Sequence, residues 1–159
     1  MPALIEGLLD PSSSCRWPHE TWDHFLRNAR NLDLLAKFVY RAEHQGIYEH
    51  LPSLIKDRLL AAKHIGEHHR RIVTWESHCI YNILAYHCID FVLLKGAAYI
   101  MADLPAGQGR TVSDIDICVR KDDLHRTEQA LLNAGWVHTK HDPYDQSYFR
   151  RWMHELPPL

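Results

Sequence analysis

The sequence predicts an α+β fold, with a helical region over residues 1–88 and a core of short strands and helices over residues 89–159. Three observations carry this. Apolar residues after Pro52 recur at three, four or seven, the spacing of one helix face. The pattern breaks at Ile89 into the apolar run Phe91-Val92-Leu93-Leu94, which fits a buried strand. Further on, Asp114 to Val119 alternates polar and apolar over six residues, the period of a strand with two distinct faces.

Taken in order, Pro11-Ser12-Ser13-Ser14 signals a loop. Helices are expected from Pro18 to Asn28 and from Asn31 to Gln45, the second closed by Gly46. The long helix after Pro52 presents Ile55, Leu59, Ala62, Ile65, Ile72, Cys79, Ile83 and Tyr86 on one face. Lys56, Asp57, Lys63, Glu67, Arg70 and Arg71 form its solvated side. Ala97 to Ala102 reads as a short helix, and Asp103 to Thr111, with Pro105, Gly107 and Gly109, as a loop. Lys121 to Ala134 is amphipathic and stops at Gly135. Trp136 to Thr139 and Ser147 to Met153 are candidate strands on either side of a turn at Asp142-Pro143-Tyr144-Asp145.

A chain of 159 residues with 46% hydrophobic and 24% charged residues has the composition of an ordinary globular domain. Eighteen Lys and Arg against twenty Asp and Glu leave a formal charge of −2, so no bulk basic field marks a nucleic-acid binder. Work on a polyanion must then rest on a few placed cations. Cys15, Cys79, Cys88 and Cys118 show no paired spacing, which fits reduced thiols. The N-terminus lacks the basic and apolar regions of a secretory signal. No apolar stretch approaches the roughly 20 residues of a membrane span. A cytoplasmic protein with no membrane partner is expected.

Asp114 and Asp116 are the sharpest chemical feature. Two residues apart on a strand, their side chains leave the same face about 6.5–7 Å apart at the backbone. Carboxylates so placed can converge on hard cations, and magnesium uses one or two of them beside water and phosphate. A half-exposed strand with acids on its wet face has the same pattern, so context decides. Lys95-Gly96 lies between an apolar strand and a helix start, where backbone N–H groups and a point charge can hold phosphate. It is not a P-loop, since the spaced Gly-Lys-Ser/Thr is absent. Arg110, four residues before Asp114, can reach a phosphate bidentately or pair with the acids. Ser113 can donate to a phosphate or simply end the turn.

Other residues read more plainly. His64 and His68 have the i, i+4 spacing of a shared zinc, yet no third ligand is evident, so the histidines of the long helix read as surface or half-buried imidazoles. The tryptophans read as packing anchors. Arg150-Arg151 reads as a solvated strand edge, with contact to an acceptor as the alternative. His154 stands next to the expected active strand.

In order, Leu93 to Tyr99 (LLKGAAY), Arg110 to Val119 (R-x-x-x-D-x-D on a strand) and Leu131 to Trp136 (LLNAGW) resemble a known family. This is the uncharacterised nucleotidyltransferase family of the DNA polymerase beta superfamily. The resemblance covers most of the chain and implies a polymerase-beta-like core, a mixed sheet with helices. It makes Asp114 and Asp116 the catalytic, metal-binding acids, and sets Lys95, Gly96, Arg110 and Ser113 beside the nucleotide. Ala97 stands where the superfamily usually has Ser, so no hydroxyl meets the β and γ phosphates there.

The resemblance further implies two Mg²⁺ ions, with Mn²⁺ as a substitute, and an NTP substrate. The expected reaction moves a nucleoside monophosphate to a hydroxyl acceptor on a small molecule, RNA or protein. A third carboxylate normally completes such a site. After His154-Glu155-Leu156-Pro157-Pro158-Leu159 the chain stops, so either the core is C-terminally truncated or Glu155 substitutes. Truncation is favoured, since a Pro-Pro pair is a poor end for a strand. The alternative function is a catalytically reduced nucleotide- or metal-binding module, regulatory or antitoxin-like.

Overall fold

Five successive helices in this chain close by one local device. In the computed structural model, which describes residues 2–139, 142–153, 155–156 and 158–159, the elements run α1 (Pro2–Leu9), α2 (His19–Asn31), α3 (Leu35–His44), α4 (Ser53–Tyr86), β1 (Phe91–Leu93), α5 (Lys95–Met101), β2 (Ile117–Val119), α6 (Leu124–Asn133) and α7 (Pro143–Tyr148). Helices α2 to α6 each close through a residue in the left-handed region: Asp33, Gly46, Cys88, Asp103 and Gly135. In each, the following N–H reaches back to a carbonyl five residues earlier, as Ile47 does to Ala42 at 2.7 Å and Leu104 to Tyr99 at 2.9 Å. Gly46 and Gly135 supply this conformation without steric cost, as expected.

The described residues are mostly helical, with two strands paired antiparallel in the register Phe91↔Val119, Val92↔Cys118 and Leu93↔Ile117. This bears out an α+β chain. The mixed sheet is not found among the described residues. Residues 136–139 carry no strand, and 147–153 lie in α7 and a π-helix (Phe149–Met153). The Asp-Pro pair read as a turn is a helix start. Asp142 accepts from the Tyr144 N–H at 2.7 Å as an N-cap, and Pro143 takes the first helical position. Likewise Pro11–Arg16 is a 3-10 helix, capped by Asp10 accepting from the Ser12 N–H at 3.1 Å.

The chain divides into two units, Met1–Trp75 with Leu94–Asp116, and Glu76–Leu93 with Ile117–Leu159. They interleave in sequence, and the boundary falls inside α4. The first unit is built on edge-to-face aromatic packing: Phe25 lies 4.7 Å from Phe38, and Trp22 5.7 Å from Phe25, all fully or nearly buried. Ile55 and Leu59 complete this core from α4.

The buried stripe of α4 departs from the expected face. It runs Ile55, Leu59, Gly66, Val73, Ser77, Ile80 and Leu84, while Ile65, Ile72 and Tyr86 are exposed. A strict seven-residue step drifts off a 3.6-residue helix. The small residues that hold the true face carried no apolar signal; a Cβ on Gly66 would meet the Ala36 Cβ at 2.8 Å. In the second unit, Ile80, Leu84, Ile89, Ala130 and Leu131 are buried, and Arg126 donates to the His87 carbonyl at 2.8 Å. Among the described residues no helix is long and apolar enough to cross a membrane.

Candidate functional site

The site begins where β1 turns into α5. Leu94 is extended, and Lys95 then adopts φ +48, a left-handed conformation that costs a non-glycine residue of order 1–3 kcal/mol. This sharp turn ends the ladder. The Leu94 N–H still donates to the Asp116 carbonyl at 2.9 Å, but nothing beyond it can pair. The expected six-residue strand therefore shortens to Ile117–Val119, and Asp114 and Asp116 lie in the approach to it, outside the strand.

That same turn brings the basic and acidic residues together. Lys95 Nζ sits 3.0 Å from Asp116 Oδ1, with the lysine mostly exposed and the aspartate half-buried. Ser113 Oγ donates to Asp114 Oδ1 at 3.2 Å, and both residues are exposed. Gly96 is buried; a Cβ there would meet Val112 Cγ2 at 2.8 Å and approach Arg110 Nε at 3.5 Å. The room left by the missing side chain is thus filled by Val112, which holds the 110–112 segment against the first turn of α5. The Arg110 guanidinium lies 5.9 Å from the Tyr99 ring centroid, a cation–π distance that leaves its donors in solvent.

Three side chains to which the sequence gives no part in the site fix this loop. Lys37 on α3 donates to the Pro105 carbonyl at 2.6 Å and the Gln108 carbonyl at 2.8 Å. Burial, then the nearby Arg41 and Arg110 charges, hold the Lys37 ammonium below the usual lysine range. Arg70 on α4 donates to Gln108 Oε1 at 3.1 Å and to Asp103 Oδ1 at 2.9 Å, while Gln108 itself donates to that same carboxylate. His69 Nδ1 lies 3.3 Å from the Val112 carbonyl. Gly109, at φ +63, packs so closely on α3 that a Cβ would stand 2.6 Å from the Ala36 carbonyl oxygen. Arg70, expected on a solvated face, is a loop anchor, and His69, expected as a surface or half-buried imidazole, is half-buried and anchors the loop as well.

The remaining candidates fall elsewhere. Among the described residues no group of three or more His, Cys, Asp or Glu side chains is placed to hold a metal ion, and His64 faces Glu67 at 3.7 Å. Glu155 belongs to the second unit, where its N–H donates to the Phe149 carbonyl at 3.2 Å. His154 and Pro157 lie outside the described residues. Arg150, read as a strand edge or an acceptor contact, instead forms a bidentate pair with the buried Glu128, one arm at 3.0 Å. His138 Nε2 stands 3.2 Å from the same carboxylate and His125 Nδ1 4.0 Å. The hydrogen bonds from Arg150 pull the Glu128 carboxyl below its ordinary range against the opposing effect of burial.

The residues around Asp114 and Asp116 suit magnesium on donor chemistry: two carboxylates, one exposed and one half-buried, next to basic groups that can face phosphate. This is a mostly helical α+β protein in which a strained basic turn and an acid-bearing segment meet. It belongs to the uncharacterised nucleotidyltransferase family, whose model matches residues 18–156, as the LLKGAAY, R-x-x-x-D-x-D and LLNAGW segments suggested. No curated protein and no solved structure matches the chain.

Proposed function

We propose that this protein is a magnesium-dependent nucleotidyltransferase that moves a nucleoside monophosphate from an NTP to a hydroxyl acceptor and releases pyrophosphate. The observation that carries the reading is the convergence of Lys95, Arg110 and Asp116 around the first turn of α5, within a chain of a nucleotidyltransferase family. Asp114 and Asp116 would hold the metal, which when bound supplies positive charge to the transferring phosphate and the attacking oxygen. Arg110, anchored by its loop, would grip phosphate oxygens with its planar fork. Lys95 would pass from Asp116 to the triphosphate as a mobile point charge. Ser113 would steady Asp114. Catalysis in this reading is alignment and charge placement rather than attack by a protein nucleophile.

A second reading, a catalytically reduced nucleotide- or metal-binding module, is favoured by the Lys95–Asp116 pair, which neutralises one of the two acids. Calorimetry with each of the four NTPs, with and without Mg²⁺, tests both readings, together with pyrophosphate release. Mg²⁺-dependent heat with turnover supports the transferase, and heat without turnover the reduced module. No heat with any nucleotide sinks both.

A further inference from the structure

A second concentration of positive charge lies in the first unit, on residues that the nucleotide site does not use. A cavity of about 450 Å³ is lined by Arg27 and Arg30 of α2 and Arg58 of α4, with Asn31, Asp23 and Leu26. Its volume falls in the usual range for small-ligand sites, roughly 300–1,000 Å³. Arg27 and Arg30 are one helical turn apart and so share a face. The one carboxylate in the lining, Asp23, is already engaged: Oδ1 accepts from Arg58 at 2.8 Å, and Oδ2 lies 3.3 Å from His19 Nδ1. Among the described residues no carboxylate pairs with Arg27 or Arg30. Three guanidiniums in one cavity do not follow from composition, since the whole chain carries a formal charge of −2.

Arg30 and Arg58 also line a second cavity of about 220 Å³, whose walls include Leu35, Ala62, Ile65 and Thr111 with one carboxylate, Asp33. The two cavities therefore adjoin, one cationic and one largely apolar. Ile65 is half exposed although it lies on a helix that packs its other face into the core. A wall of this kind accepts the apolar body of a ligand whose charged end lies among the arginines.

We propose that these joined cavities are a binding site for a phosphomonoester with a compact apolar or aromatic body. The phosphate would lie among Arg27, Arg30 and Arg58, and the body against Leu35 and Ile65. Planar guanidinium forks match the tetrahedral oxygens of a phosphate, and a terminal phosphomonoester brings the dianion that a three-arginine cluster neutralises. A polynucleotide backbone instead demands a run of cations along a surface, and the acidic balance of the chain does not favour one.

The probes are phenyl phosphate and inorganic phosphate, titrated calorimetrically into the full chain. Phenyl phosphate binds saturably, and Arg30→Gln and Arg27→Gln each weaken it at least tenfold while the thermal midpoint holds, both arginines being exposed. Ile65→Ser weakens phenyl phosphate but not inorganic phosphate. Wild-type affinity in both arginine variants overturns the site. An oligoribonucleotide with hydroxyl ends that binds more tightly through the same arginines overturns the ligand class. Mg²⁺–NTP binding is read in parallel with Asp114→Asn; its absence sinks the transferase reading and leaves the phosphate result standing on its own.

Discussion

Lys95 Nζ sits 3.0 Å from Asp116 Oδ1, so the cation expected to meet a triphosphate is held by one of the acids expected to meet the metal. The two roles compete until a ligand separates them. Lysine on a left-handed backbone, at the break between strand and helix, is what makes this short reach possible.

Lys95→Met should therefore split two affinities. Mg²⁺ alone should bind more tightly, because Asp116 loses a competing cation, while Mg²⁺–NTP should bind several-fold more weakly. The lysine is mostly exposed, so stability should move by no more than about 1 kcal/mol. Equal weakening of both titrations would remove Lys95 from the nucleotide. Asp116→Asn should lose Mg²⁺-dependent nucleotide binding altogether.

Gly96→Ala tests the packing of the basic turn. The added Cβ would stand 2.8 Å from Val112 Cγ2, and Val112 has no flexible end to swing away. A cost of about 1–3 kcal/mol is expected from overpacking. The displaced 110–112 segment should weaken NTP binding beyond the stability loss. Thermal unfolding and nucleotide titration on the same sample separate the two effects.

Lys37→Met should loosen the 103–112 loop without touching the acids. Its ammonium serves the carbonyls of Pro105 and Gln108, and the apolar, slightly shorter thioether serves neither. Amide exchange should rise within residues 103–112 and stay unchanged in α2. Exchange unaltered in the loop would show that Arg70, His69 and the packing of Gly109 suffice to hold it.

The Glu128–Arg150 pair should give an acid-side stability slope. The Glu128 carboxyl is pulled below its ordinary range, so its contribution is complete above the unfolded glutamate value and is lost as pH falls through the lower folded value. His125, His138 and Arg150 face this carboxylate. Arg150→Ala should cost about 1–3 kcal/mol, below the fully buried range because the guanidinium is partly exposed. Glu128→Gln should flatten the slope between pH 5 and the acid transition in denaturant melts.

Local signals were legible where a single residue type sets the backbone. Gly46 and Gly135 marked helix ends because they supply positive φ freely, and Phe91–Leu93 read as a strand from its branched apolar run. Asp142-Pro143 was misread because the same dipeptide that opens a turn also caps a helix, and only the following residues decide. The Asp114–Val119 alternation was real, but a strand needs a partner, and β1 ends at Leu93. The acids and the basic turn were legible as motifs. Their supports were not: Lys37 and Arg70 reach loop atoms more than 30 residues away in sequence, and no periodicity encodes such a distance.

Those distant supports tie the helical region to the proposed nucleotide site. Arg110 owes its position to an ammonium on α3 and a guanidinium on α4. A chain that began at the first strand would keep every motif residue and lose the brace behind its arginine. Exchanging α3 between family members is thus expected to retune phosphate affinity at the proposed nucleotide site.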